Sequence, residues 1–395
     1  MQSQQNIENV ASELLATQNL KLVSGKSLQS LWAGYGHICQ LKVLPSVTTG
    51  LSQQRPISLI LKYISPPTTK PDQLHTESHL RKVLSYHIEQ YFYTHLAPQM
   101  PPEIAVAKCF SSIGSKADST ATAMIMTDLR EAFPIAGEKR SELSEKQVCA
   151  TIDWLASFHG FWWKRVKSFD RAKLCLPPLE HFKKTHTTVA DEGVWLNGGY
   201  TYYATRLDEF GDLCQSESEW RGPLCGGLSS EDGAASLASI VAKFLAPTIS
   251  GERHVLDYET LIHGDVKSEN LFTTASGDAV AFFDFQYVGL GLGVCDLAKL
   301  FTCSVPQESL EEDVAEEMGM GIGEEKLLRY YLDKLKSVSG KDYDWNVFVR
   351  HWETALVDWL RFQASWGFWG NTDWLEGRVR RILKDEGWIA YVKSV

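Results

Sequence analysis

None of the eight cysteines forms a C-x-x-C pair. That argues against a structural zinc site, whose ligands usually come in closely spaced pairs. No apolar run approaches the length needed to cross a bilayer, so no membrane span is expected. Basic residues are in deficit: 39 Lys and Arg face 49 Asp and Glu, for a net charge of −10. A general nucleic-acid binder needs a basic stripe, so none is expected as a partner, although a local basic pocket for a phosphorylated ligand stays open. The opening "MQSQQNIENV" has no basic stretch followed by an apolar core. It does not read as a secretory leader, and free thiols then point to a cytoplasmic, reducing setting. Internal repeats are absent too. What is present is a chain of 395 residues, 44% hydrophobic. That is too long for one ordinary core and suits two packed lobes rather than disorder.

The first third reads as strands with one helix. "HICQLKVL" and "ISLILKYI" are rich in branched residues, and the linking "PSVTTGLSQQRP" has turn composition. In "ESHLRKVLSYHIEQYFYTHL", Leu80, Leu84, Ile88 and Tyr91 recur at helical spacing. "TAMIMTDL" is another short strand. Residues 1–20 read as a short helix or a loose arm. Ser144 and Gln147 form a candidate capping box before Val148, Ile152, Leu155 and Ala156. Residues 226–236 read as a loop, and the C-terminal third is helical.

The chemistry is concentrated in "LIHGDVKSENLF" (261–272) and "VAFFDFQYVG" (280–289). Asp265, Lys267 and Asn270 lie at spacings that suit one loop. In it a carboxylate faces a reacting hydroxyl, an ammonium neutralises phosphate, and an amide oxygen holds a metal. The intervening "LFTTASGDAVAFF" reads as a β-hairpin turning at Ser-Gly-Asp. A hairpin brings Asn270 beside Asp284 and gives two oxygen ligands for a hard cation such as Mg2+.

"HGDVKSEN", "DFQ" and "DLAKLF" together resemble the protein-kinase-like phosphotransferases of small molecules: the aminoglycoside phosphotransferase, choline kinase and ecdysteroid kinase-like families. The resemblance implies a two-lobed α+β fold, with a β-rich nucleotide-binding lobe over 1–128 and a mostly helical catalytic and acceptor-binding lobe over 129–395. It implies an active site in the cleft between the lobes, ATP and Mg2+ as cofactors, and a small hydroxyl compound as acceptor. Asp265 matches the base. Asn270 and Asp284 match the metal ligands, and Lys267 the loop lysine. Lys62 in "LILKYI" matches the strand lysine that grips nucleotide phosphates, and Glu89 the helix glutamate that pairs with it. Met126, Thr127 and Asp128 match the hinge along the adenine. Gly34 and Gly36 match the phosphate-covering turn or form a plain β-turn. Asp296 resembles a second family aspartate that braces the catalytic loop or approaches the metal, or it is only a helix cap. His263 is expected to order the loop.

A protein Ser/Thr kinase is the first alternative. Against it stand Gly264, where many protein kinases carry an arginine, the absence of an A-P-E motif, and the short gap from Asp284 to "DLAKLF". A non-catalytic nucleotide-binding module is the second. It would be expected to have lost one of Asp265, Asn270, Asp284 or Lys62. Trp352, Trp359 and Trp366 recur every seven residues and read as one helix stripe. Trp369 and Trp374, in the loop-like "GFWGNTDW", are candidates to box an apolar or cationic acceptor.

Overall fold

The computed structural model describes residues 2–31, 34–46, 55–67, 74–114, 122–188, 190, 193–226, 235–251 and 254–394. Most of the linker at 45–56 and of the loop at 226–236 falls outside them. In chain order the elements are α1 (Gln2–Ala16), β1 (Leu20–Ser30), β2 (Gly36–Pro45), β3 (Ile57–Ile64), α2 (Glu77–Tyr91), β4 (Cys109–Ile113), β5 (Thr122–Thr127), β6 (Ile135–Ala136), α3 (Glu145–Trp163), α4 (Pro178–Thr185), α5 (Leu207–Gln215), α6 (Arg221–Cys225) and α7 (Leu237–Leu245). Then come β7 (Glu259–Ile262), β8 (Leu271–Thr273), β9 (Val280–Phe282), β10 (Gly289–Leu292), α8 (Gly293–Cys303), α9 (Ile322–Ser339), α10 (Trp345–Trp366), α11 (Thr372–Ile382) and α12 (Glu386–Lys393).

Two compact units result. The first comprises Met1–Met100, Val106–Ala132 and Pro178–Gly193. Its antiparallel sheet has the order β1-β2-β3-β5-β4. The period-two pattern of the strands decides what each face does. Cys39, Leu41 and Val43 of β2 and Leu59 and Leu61 of β3 pack with Ile7, Ala11, Leu14 and Leu15 of α1. The amino-terminal segment is therefore a docked helix and not a loose arm. Ile64, Tyr35, Leu31 and Tyr86 of α2 form a second cluster. Residues 178–193, unassigned from sequence, belong to this unit, with Phe182 of α4 stacked on His75 at 4.4 Å.

The second unit comprises Pro101–Ala105, Phe133–Pro177 and Val194–Val395. It is mostly helical, with two small sheets, β7–β10 and β6–β8–β9. The capping box forms as expected: Ser144 accepts from Gln147 N, and Gln147 Oε1 accepts from Ser144 N at 2.9 Å. Among the described residues no helix is long and apolar enough to cross a membrane.

Candidate active site

Lys62 and Glu89 show how the first unit buries charge. Lys62 alternates with Leu61, so it leaves the α1 face of the sheet. Its Nζ lies 2.5 Å from Glu89 Oε2 on α2, with both residues less than 5% exposed. An unpaired ion there would be strongly destabilising, so each residue makes the other tolerable. Lys62 Nζ also sits 5.5 Å from the Tyr86 ring centroid. Gly34 and Gly36 lie in the β1–β2 turn. Gly36 has φ +149° and stands so close to β3 that an added Cβ would fall 2.0 Å from Tyr63 O. Close backbone approach alone therefore demands that glycine. At the expected hinge, Met126 pairs across to Ile60 and Cys109. Thr127 N donates to Lys108 O at 3.0 Å. The Asp128 carboxylate is taken up by Arg130 Nη2 at 2.7 Å and Ser58 Oγ at 2.7 Å.

In the second unit the expected hairpin is present. Leu271 faces Phe282, Phe272 faces Ala281 and Thr273 faces Val280. Gly277 turns it at φ +72°, and Thr274 and Ser276 both donate to Asp278 Oδ1. At the open end Phe283 N donates to Asn270 O at 3.0 Å, which ties the residue before Asp284 to Asn270. Asn270 Nδ2 donates to Asp265 O at 2.8 Å and Asp265 Oδ2 at 3.0 Å. This fixes the amide orientation and leaves its oxygen for another partner. Asp284 adopts left-handed backbone angles, φ 65° and ψ 57°, which an aspartate tolerates better than most residues. Phe285, fully buried against His263 and Phe158, anchors it.

Lys267 Nζ is 3.1 Å from both Asp265 Oδ2 and Glu269 Oε1. Burial alone would lower its pKa, but the two carboxylates outweigh that and hold it raised. Burial pushes Asp265 up, yet the Lys267 and Lys299 ammoniums win and keep it below the usual carboxylate range. Asp265 is thus an anion whose Oδ2 is engaged by Asn270 and Lys267. Among the described residues, its Oδ1 carries no hydrogen bond.

Asp296 braces this loop. Fully buried in the first turn of α8, it accepts from His263 N at 2.7 Å, Gly264 N at 2.9 Å and His159 Nε2 at 3.1 Å. It is not the helix cap; Leu292 holds that position without a side-chain bond. His263 orders the loop as expected. Its Nε2 donates to Phe283 O at 3.0 Å and its Nδ1 accepts from Asp265 N at 3.3 Å. Burial lowers the His263 pKa, which favours the neutral ring these two bonds require. Gly264 has φ +84°, and a Cβ there would fall 2.3 Å from Tyr287 O. No side chain fits where protein kinases carry arginine.

Sequence reading missed two contributors. Lys299, buried in α8, donates to Gly264 O. The segment around Gly198–Tyr200 lies against the loop: Tyr200 N donates to Gly264 O at 2.9 Å and Gly199 N to Tyr287 O at 3.0 Å. A lysine inside the apolar "DLAKLF" and the Gly-Gly of "WLNGGY" were the available signals.

The aromatic expectations need correction. Trp374 is not in a loop; it lies in α11, fully buried, 6.5 Å from the ring of Trp352. It is core and cannot box a ligand without unpacking. Trp369 is partly exposed and stands edge-on to Trp359 at 5.6 Å and Phe362 at 6.0 Å. Of the seven-residue stripe, Trp352 and Trp359 are buried but Trp366 is 48% exposed.

The chain matches the model of the ecdysteroid kinase-like family over residues 41–339. No curated protein matches it. Solved structures similar to it include the choline kinase LicA from Streptococcus pneumoniae, 12% identical, with 99% of this chain and 100% of that one covered and a TM-score of 0.38. Another is a macrolide 2'-phosphotransferase from Brachybacterium faecium, 12% identical, with 90% and 91% covered and a TM-score of 0.42. A third is an amicoumacin kinase in complex with AMP-PNP and Ca2+, 12% identical, with 97% and 93% covered and a TM-score of 0.40. The family match spans most of the chain and includes Lys62, Glu89, Asp265, Asn270 and Asp284, and on that match the chain belongs to the ecdysteroid kinase-like family, a family of small-molecule kinases.

Proposed function

We propose that the chain transfers the γ-phosphoryl group of ATP to a hydroxyl of a small organic molecule. The observation that carries this reading is the open end of the β8–β9 hairpin. It ties Asn270 to the residue before Asp284, beside the Asp265 carboxylate. An amide oxygen and a carboxylate are hard donors that fit Mg2+. Among the described residues no group of three or more His, Cys, Asp or Glu could hold a metal. A cation at Asn270 and Asp284 would therefore draw its remaining ligands from phosphate and water, and would there neutralise charge on the transferring group.

Asp265 orients the acceptor hydroxyl through Oδ1. A carboxylate held this low is a weak equilibrium base. In a loose phosphoryl-transfer transition state the hydroxyl proton leaves late, so orientation comes first and proton acceptance follows. Lys267 stays charged and offsets phosphate charge. Lys62, steadied by Glu89, grips the nucleotide phosphates.

The test is ATP consumption by the purified chain with Mg2+ and a panel of small alcohols, with casein as a protein acceptor. The expected result is ADP release that depends on an alcohol and stops when Mg2+ is chelated. Phosphate transfer to casein with none to any alcohol would overturn the reading.

A further inference from the structure

Asp296 holds the loop, and the residues that hold Asp296 come from two other helices. His159 of α3 is buried, and its Nε2 reaches Asp296 Oδ2 at 3.1 Å. The other ring nitrogen, Nδ1, lies 2.9 Å from the hydroxyl of Tyr331 on α9, which is buried as well. Three buried side chains from three helices therefore form one row. It ends on the backbone N–H groups of His263 and Gly264. A second bond ties the same histidine to the strand that leads into the loop, since Thr260 Oγ1 of β7 donates to His159 O at 2.7 Å.

The direction of each bond follows from where protons can sit. An ionised Asp296 has no proton to give, so His159 Nε2 donates to it. In a neutral imidazole the second nitrogen is then an acceptor, and the Tyr331 hydroxyl supplies the proton. Burial raises the Tyr331 pKa well above its ordinary value, which keeps that hydroxyl a donor. The hydrogen bond made by one ring nitrogen sets which tautomer is present. Without the hydroxyl, Nδ1 is free to carry the proton, and Nε2 would turn a lone pair toward the carboxylate. The packing is shaped for this contact. Tyr331 stands edge-on to His159 at 5.9 Å and stacks on Phe348 of α10 at 6.0 Å. Gly293, at the start of α8, lies against both partners. A Cβ there would fall 2.5 Å from Tyr331 Oη and 2.8 Å from His159 Nδ1.

We propose that Tyr331 is a positioning residue for phosphoryl transfer: its hydroxyl fixes the tautomer of His159, and through Asp296 that choice seats the His263 and Gly264 N–H groups on which the place of Asp265 depends. This rests on the kinase reading above for what the loop does. It adds α9, which carries none of the motif residues, to the elements that shape the loop. Each link is a buried hydrogen bond in a setting where such bonds reinforce one another, so the loss of one hydroxyl at Tyr331 is felt at the far end of the row.

The experiment compares wild type with Tyr331→Phe, which removes one hydroxyl and keeps the ring. Amide hydrogen exchange is read over the loop. Turnover is read with ATP, Mg2+ and an alcohol that the panel above shows to be accepted. Exchange at His263 and Gly264 is expected to rise by about tenfold while the amides of α10 stay protected. The value of kcat is expected to fall by about threefold to tenfold, the range of one neutral hydrogen bond, with the KM for ATP unchanged. His159→Gln should also lower kcat, and the double variant should lose little beyond the worse single one, because the two residues act in series. Tyr330→Phe, the neighbouring and exposed tyrosine, should change neither readout. A lower melting temperature with loop exchange and kcat both unchanged would make Tyr331 a packing residue and overturn the inference. Additive losses in the double variant would overturn it too, and either result leaves the kinase reading standing. If no alcohol is phosphorylated, the kinase reading falls, and loop exchange alone decides whether Tyr331 sets the loop.

Discussion

Lys62 and Asp265 are both ions held where little water reaches, yet they are held by different means. Lys62 stands on a regular strand and meets Glu89 from a regular helix, so two repeating backbones aim the pair, whose Nζ and Oε2 lie 2.5 Å apart. Asp265 stands on a loop with no repeating geometry. Its place is set by bonds from side chains to backbone: Asp296 on the N–H groups of His263 and Gly264, His263 on Phe283 O and Asp265 N, and Asn270 on Asp265 O. The contrast teaches that removing a partner of Lys62 tests a charge, whereas removing a brace of Asp265 tests a shape.

The largest expected effect is on the loop side. Asp265→Asn should lower kcat by about 10²–10⁴-fold, the usual range for a positioned acid–base group. It should retain the rise in melting temperature that ATP and Mg2+ produce. Wild-type turnover with a true acceptor would break the reading of the loop.

On the pair side, Lys62→Met takes the ammonium away from the buried Glu89 carboxylate and should cost about 3–5 kcal/mol in urea unfolding. The double variant Lys62→Met, Glu89→Leu should recover most of that stability but not the stabilisation by nucleotide. If the double variant remains as unstable as the single one, the charges were not what the single variant disturbed.

Removing a brace should be milder. Asp296→Asn is expected to cost about 1–3 kcal/mol, the scale of a lost buried acceptor, with kcat falling alongside. Its pH dependence sharpens the comparison. Burial pushes the Asp296 carboxyl up, but the bond from His159 and nearby positive charge outweigh it, so its folded pKa lies below the ordinary 3.8. A depressed carboxylate contributes stability that is fully present above that ordinary value and is lost as pH falls through the folded one. The stability gap between wild type and Asp296→Asn should therefore stay constant from about pH 7 to about pH 4 and narrow only below that range. A gap that closes near pH 6 would assign the effect to another group.

The smallest effect separates strain from function. Asp284 occupies the left-handed region at φ 65°, where a glycine pays no steric cost. Asp284→Gly should abolish the Mg2+-dependent part of nucleotide stabilisation in a thermal-shift assay, while relief of the left-handed backbone offsets part of what losing the side chain costs the fold. A variant that keeps the Mg2+-dependent shift would mean that the carboxylate holds the fold rather than a ligand.

Much of the local structure was legible because it depends on near neighbours in the chain. The alternation in "ISLILKYI" fixes which face Lys62 takes, and helical spacing puts Leu80, Leu84 and Ile88 on one buried stripe. The Ser144 capping box and the Asn270–Asp284 hairpin each close within a few residues of their own sequence. The aromatic residues were less legible. Seven-residue spacing placed Trp352, Trp359 and Trp366 on one helix, but it could not say that the helix end carrying Trp366 is solvent-exposed. Glycine-rich composition suggested a loop at Trp374, where the chain begins a helix packed beneath Trp352.

By itself the sequence determined the chemical groups and their short-range arrangement: carboxylate, ammonium, amide and second carboxylate at spacings that a loop and a hairpin convert into neighbours. The tertiary structure alone decided what surrounds them. It set Asp296 under the loop as its brace, brought the Gly198–Tyr200 segment against Gly264, buried Lys299 in α8 against Gly264 O, and placed Arg140 over the ring of Trp369, which composition had suggested for a ligand. The physical reason is range. Backbone dihedrals carry order over a few residues, whereas burial and the neighbours of a side chain depend on segments far along the chain that meet only when the core packs.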